Sequence, residues 1–343
     1  MENRKLLIFK IFIFIIPLIT GFFLNIETVY GYAVETHAFL TNEVVAFYNN
    51  HTEHPISEEF YDYIIDGARL EDNTPRYLHH FYDPVNNQGL HDLGFRGRMA
   101  KEWVQNDNAQ TALLYRAMPQ TEASLLSLAQ ISTIQGTFDH TDFTWEKALE
   151  LYRDGKKEDA FFVLGHIIHL IEDMAVPDHT RNDAHPPFND GGSPYENWTE
   201  QFNLENRDIE LSIRLLNKDL IAFNDLDAYF DGLATYSNNN FYSRDTISKY
   251  DLPIPDYFNN FDNDEFAFKK DSEFGDYPLL LADGSLDWNK EKIKRNAIES
   301  PIILKNYWSH LSTKAVQYGA GVIDLFFKEV AKESDKKVVE QKA

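Results

Sequence analysis

The chain has 343 residues, 43% of them hydrophobic by count, enough for a real core in one large domain or two small ones. Its formal net charge of −23 disfavours a nucleic-acid backbone as a tight partner, because such backbones are bound through Lys and Arg. There is no cysteine, which excludes disulfides and thiolate-held zinc or iron–sulfur centres and leaves any metal to His, Asp, Glu or backbone groups.

The N-terminus reads as a targeting segment. Arg4, Lys5 and Lys10 precede an apolar run from Ile11 to Leu24, which has the length of a signal-peptide core rather than of a membrane span. A peptidase site follows Gly31, with Val29 two residues earlier, so the mature chain is expected to begin at Tyr32 and to be secreted or extracytoplasmic. The alternative is an uncleaved anchor, since Leu6 to Phe9 extend the apolar stretch.

Residues 37–50 predict a helix, with Thr36 as its cap and Phe39, Leu40, Val44, Val45 and Phe47 as its apolar faces. A second runs over 56–68 from Ser57, and 69–94 read as loop, with Pro75, Pro84 and several Asn and Gly. Helices are expected over 95–107, 109–130, 143–153 and 156–174. The last carries Phe161, Phe162, Leu164, Ile167, Ile168, Leu170 and Ile171, apolar nearly all round, as suits a central buried helix. A turn-rich loop over 181–194 is followed by helical patterning over 196–218 and 221–240. The Tyr-, Asn-, Asp- and Phe-rich stretch 241–288 reads as an ordered surface excursion, then two helices over 289–309 and 311–333 and a charged tail over 334–343. No repeat, strand series or glycine-rich phosphate loop stands out, so the expected fold class is all-α, a single domain over 32–333.

The chemistry concentrates in FFVLGHIIHLIEDMAVPDHTRNDAH. His169 and Asp173 are four apart and share a helix face, so both reach one metal. Pro177 redirects the chain and His179 follows at once. Unpaired, these groups would cost several kcal/mol on an otherwise apolar helix, and metal ligation removes that cost. His166, three before His169, reads as a supporting residue rather than a ligand. Upstream, GARLEDNTPRYLHHFYDP gathers Glu71, Asp72, His79, His80 and Asp83 in a loop. A free amine at Tyr32 would chelate together with its own carbonyl, and His37 lies five residues on. His185 and Glu196 flank the loop after His179. Oxygen and imidazole donors without thiolate suit zinc, and more than one ion. Such a site favours phosphoester hydrolysis.

The run containing H-x3-D-x3-P-x-H, with HFYDP upstream and YENW downstream, resembles the zinc-dependent phospholipase C and P1-type nuclease superfamily, the bacterial phospholipase C branch above all, over residues 32 to about 240. The resemblance implies a compact helical domain with up to three zinc ions in a cleft. It implies that His80, His169 and Asp173 hold the first, that Asp173 bridges to a third completed by His37 and the Tyr32 amine and carbonyl, and that His179 and Glu196 hold the second. Asp72, five after Gly67, would orient or deprotonate the attacking water, with Asp66 a weaker alternative and Glu71 a helper. Three departures stand out. Tyr32 replaces the family's initial Trp. Gly192 stands where a His is expected four before Glu196, with His185 as substitute. The loop between Asp72 and His80 is short.

The expected reaction is attack of activated water on a phospholipid phosphorus, giving diacylglycerol and a phosphorylated headgroup. A secreted nuclease or nucleotidase is the alternative, with Phe138, Tyr195 and Trp198 as candidate base-stacking platforms. A different class is a non-catalytic, metal-stabilised surface protein that binds through 241–288.

Overall fold

A computed structural model describes residues 33–73, 76–110, 142–186, 191–206, 209–261, 264–282 and 297–340, so the expected leader, Tyr32, Phe138 and most of the expected 109–130 helix lie outside the described residues. The chain enters α1 (Val34–Asn49) from an extended Ala33. A 3-10 turn (Glu58–Phe60) leads into α2 (Tyr61–Leu70), and a second (Arg76–His79) stands in the middle of the expected loop. In the stretch expected to be a helix over 95–107, Ala100–Trp103 (α3) is helical and a further helical run begins only at Asp107. There the backbone is used differently: Gly97 N–H donates to Leu90 O and Ala100 N–H to Phe81 O, pinning this segment onto the loop that carries His80.

α4 (Trp145–Arg153) starts at Thr144, whose hydroxyl accepts the Lys147 N–H at 3.3 Å. α5 (Lys157–Asp173) is the central helix, buried from Ala160 almost without interruption to Asp173. It ends because Pro177 forces Val176 into the extended region (φ −99, ψ 116), and α6 (Pro177–Thr180) begins at that proline. α7 (Pro194–Asn206), α8 (Ile209–Leu215) and α9 (Leu226–Asn240) follow, the last capped by Asp225 on the Ala228 N–H.

The excursion is partly sheet, where the sequence suggested no strands. β1 (Tyr257–Phe261), β2 (Asp264–Lys269) and β3 (Tyr277–Ala282) form an antiparallel sheet in that order, with Tyr257 opposite Phe268 and Phe266 opposite Leu281. Phe266, Ala267, Leu279 and Leu280 are buried in the main core. The final helix, α10 (Pro301–Glu340), is continuous through the expected break near 310. The hydroxyls of Ser309, Ser312 and Thr313 donate to carbonyls one turn back, which keeps this polar run helical. α10 lies along α1, α5 and α9, and Tyr307 ties it to β3 through Leu279 O at 2.7 Å. The described part is thus a mostly helical fold around one core, with a small sheet at its side. No described helix is long and apolar enough to cross a membrane.

Candidate metal centre

Two glycines set the geometry. α2 and α5 cross so closely that a Cβ on Gly67 would lie 1.9 Å from Phe162 O, and one on Gly165 would lie 2.0 Å from Ile64 O. This crossing brings Ala68 O within 2.7 Å of His169 Nδ1. With Nδ1–H donating to that carbonyl, Nε2 is the nitrogen that faces the site.

His169 Nε2 lies 3.3 Å from His80 Nδ1, 3.3 Å from Asp173 Oδ2 and 3.6 Å from Asp72 Oδ1. His80 Nδ1 lies 3.0 Å from Asp173 Oδ2 and 3.6 Å from Asp72 Oδ1. Four-coordinate zinc with bonds of about 2.0–2.1 Å has donor–donor edges of about 3.3–3.4 Å. His80 Nδ1 and His169 Nε2 therefore stand at about coordination-shell spacing from each other and from both carboxylates, and Asp72 occupies a ligand's corner rather than a position behind it. Asp173 reaches two further imidazoles through its other oxygen: Oδ1 is 3.5 Å from His37 Nε2 and 3.4 Å from His179 Nδ1. His37 stacks on His169 with ring centroids 3.6 Å apart.

A separate group forms where α6 and the following loop meet the start of α7. Glu196 Oε1 lies 3.3 Å from His179 Nε2, and its Oε2 lies 2.9 Å from His185 Nε2. His179 Nδ1 faces His80 O at 3.2 Å and His185 Nδ1 faces Asp183 O at 2.8 Å, so both rings turn Nε2 toward the carboxylate. Gly192 stands where the sequence resemblance would place a histidine. At φ +81 it is left-handed, a conformation that disfavours a histidine, and its carbonyl accepts from Arg244 at 2.7 Å. His185 comes in from the other side of the loop.

Three groups of donors, His37–His169–Asp173, Asp72–His80–His169 and His179–His185–Glu196, thus each have ligand atoms within 4.8 Å of one another, all from buried residues. Both oxygens of Asp72 and of Asp173, His179 Nε2 and Glu196 Oε1 are buried with no hydrogen-bond partner among the described residues. Buried carboxylate oxygens left without donors are costly, and cations at these places would remove that cost. The donor set therefore fits metal.

Electrostatics agree. Burial alone would raise Asp173, yet His179, His169 and His80 hold it well below the usual carboxylate range. Burial would lower His80, but Asp173 carries it up to about 10; Glu196 likewise outweighs burial at His185, which rises well above an ordinary histidine. Asp72 is pushed up by burial to about 6. Without metal, Asp173 holds a proton on His80 and Glu196 one on His185.

The remaining expected residues fall elsewhere. His79 stacks on Trp103 and accepts the Arg98 N–H. Asp83 accepts from Val85, Asn86 and Tyr250 and shapes the loop. Asp66 pairs with Arg69 at the surface. Glu71 is fully buried, held by Arg76 at 2.7 Å, His166 at 2.6 Å and Trp103 at 3.0 Å, with its Oε1 3.7 Å from His80 Nε2. It braces His80 from behind, and His166 braces it in turn. Tyr195 is 1% exposed and unable to stack on a base, while Trp198 stacks on Phe202.

Sequence reasoning passed over Glu172, bonded to His37 Nδ1 at 2.7 Å, and Asp178 and Asp183, buried beside His185. It also passed over Arg181, fully buried, which donates to Thr246 Oγ1, Asn238 O and Leu252 O and so ties the 241–256 stretch to the segment carrying His179 and His185. An acid in the final turn of an apolar helix was the signal for Glu172; nothing local marks Arg181.

Solved structures similar to this chain include two clostridial alpha toxins. Alpha toxin from Clostridium absonum aligns with a TM-score of 0.42 and 14% identity, over 86% of this chain and 64% of that one. Alpha-toxin of Clostridium perfringens, from the avian strain SWCP, aligns with a TM-score of 0.39 and 15% identity, over 89% of this chain and 66% of that one. The chain therefore spans less than two thirds of either. No protein-family model and no curated protein matches it.

Proposed function

We propose that this protein is a secreted, zinc-dependent phosphodiester hydrolase acting on phospholipids as a phospholipase C. The observation that carries the reading is the convergence of Asp72 and Asp173 on His80 and His169, with Asp173 also reaching His37 and the His179–His185–Glu196 group beside it. His80, His169, Asp72 and Asp173 would hold one ion, His37 and Asp173 with the Tyr32 amine and carbonyl another, and His179, His185 and Glu196 a third. Bound zinc supplies activated water at neutral pH and positive charge for the phosphate oxygens.

The chain's own groups do the rest. Asp72 presents Oδ1 to His80 and His169, leaving Oδ2 to accept the proton of the attacking water. Ala68 O and His80 O fix the imidazoles of His169 and His179, and the Glu71 carboxylate lies behind the His80 ring, so the ligand rings are set before reaction. Lipid is favoured over nucleic acid by the net charge of −23, by the HFYDP motif and by the engagement of Tyr195 and Trp198 in packing.

The test is release of phosphorylated headgroup from phosphatidylcholine micelles by the processed, zinc-loaded protein, with and without chelator. Chelator-sensitive release is expected. No release with zinc verified as bound refutes the lipid assignment, and cleavage of a single-stranded oligonucleotide in the same preparation would redirect it to nuclease.

A further inference from the structure

The carboxylate of Glu172 faces away from the shared shell and lies on the back of His37. Its Oε2 is 2.7 Å from His37 Nδ1, and its Oε1 accepts the Thr41 hydroxyl at 2.9 Å. Glu172, Thr41 and His37 are all fully buried. His37 and Thr41 are one turn apart on α1, and Glu172 and Asp173 are adjacent on α5, so two helix turns close on one imidazole from opposite edges. Nδ1 meets Glu172 while Nε2 meets Asp173 at 3.5 Å, and stacking on His169 fixes the ring plane.

An imidazole offers a metal only the nitrogen that carries no proton, and a carboxylate on the other nitrogen selects which one that is. If packing alone were needed, an apolar side chain at position 172 would avoid the cost of burying an acid. We propose that Glu172, with Thr41 steadying it, is the positioning residue of the His37–Asp173 site, holding the proton of His37 on Nδ1 so that Nε2 faces the ion. The inference rests on the metal-centre reading above and adds to it the residue that decides the ligand nitrogen.

The test uses the full processed chain, with zinc as the probe, read by competition against a chromophoric chelator in wild type, E172Q, E172M, H37A and the H37A/E172M double variant. Replacing a partner behind a ligand costs about 10–100-fold in metal affinity. E172M should weaken one ion by that factor and leave the others unchanged. E172Q, whose amide oxygen still accepts from Nδ1–H, should stay nearer wild type, and E172M should add nothing once His37 is gone. Unchanged zinc affinities in E172M, or an equal loss in the H37A background, would overturn the proposal while leaving the metal centre intact. A wild type that binds no zinc would overturn the metal centre and the proposal together. Nitrogen NMR of histidine-labelled, zinc-loaded wild type gives a reading that does not depend on E172M folding. The Nδ1–H form of His37 supports the assignment, and the Nε2–H form overturns it.

Discussion

Gly67→Ala separates the close helix crossing from every other source of order at the site. On an ordinary helix this change stabilises by about 1 kcal/mol, because alanine is the better helix former. Here the added Cβ would lie 1.9 Å from Phe162 O, 2.9 Å from Phe162 C and 3.2 Å from Gly165 Cα. All three are backbone atoms of a buried helix, so no rotamer change relieves the clash. Restoring a contact of roughly 3.4 Å needs α2 and α5 to part by about 1.5 Å. That motion stretches the 2.7 Å bond from His169 Nδ1 to Ala68 O beyond hydrogen-bonding range. Overpacking of this kind costs about 1–3 kcal/mol, and the lost hydrogen bond about 1 more. Net of the helix gain, the variant should be about 1–3 kcal/mol less stable by urea unfolding at unchanged slope, and its tightest zinc should weaken. A stabilised Gly67→Ala, or one with wild-type zinc affinity, would refute the view that the crossing sets the site.

Four further outcomes follow from the same geometry. His185→Ala should remove the ion held with His179 and Glu196 while the Asp72–His80 shell keeps its own, and Gly192→His should fail to restore it because φ +81 costs a side chain about 1–2 kcal/mol; metal content by mass spectrometry checks both. His80 is raised to about 10 and His185 well above its ordinary value, so zinc binding at pH 8 should release the protons they hold, measurable by calorimetry in buffers of different ionisation enthalpy. The sign for the metal-free protein is that of a raised group. His80 contributes stability that is fully present below about 6.5 and is lost as pH rises toward 10, seen as a falling melting temperature over that window. Arg181→Lys should destabilise by about 3 kcal/mol in urea unfolding, because one ammonium cannot serve Thr246, Asn238 and Leu252 together from a fully buried position.

The central helix, the spacing of His169, Asp173 and His179, and the loop position of Asp72 and His80 were legible because helical period and proline placement are local properties. The fold class was legible for the same reason, since most helices announce themselves by apolar spacing. The sheet was not. β1 and β2 are five or six residues long, and the alternation of Phe266 with Phe268 is too brief to stand out among neighbouring aromatics. The break expected near residue 310 came from a polar run whose hydroxyls bond within the helix. At the site, residue types revealed the candidate ligands but not their surroundings. That Glu71 and Glu172 lie behind His80 and His37 depends on contacts between elements far apart in sequence, and that Asp72 reaches a ligand's position depends on how closely α2 and α5 cross.

The measurement that bears most directly on the metal centre is an anomalous difference map collected at the zinc edge from crystals of the processed protein. Peaks are predicted about 2.0–2.1 Å from His80 Nδ1, His169 Nε2, Asp72 and Asp173, and again between His179, His185 and Glu196. Zinc-soaked crystals with no anomalous density at either place would contradict the account, and with it the hydrolytic function built on these side chains.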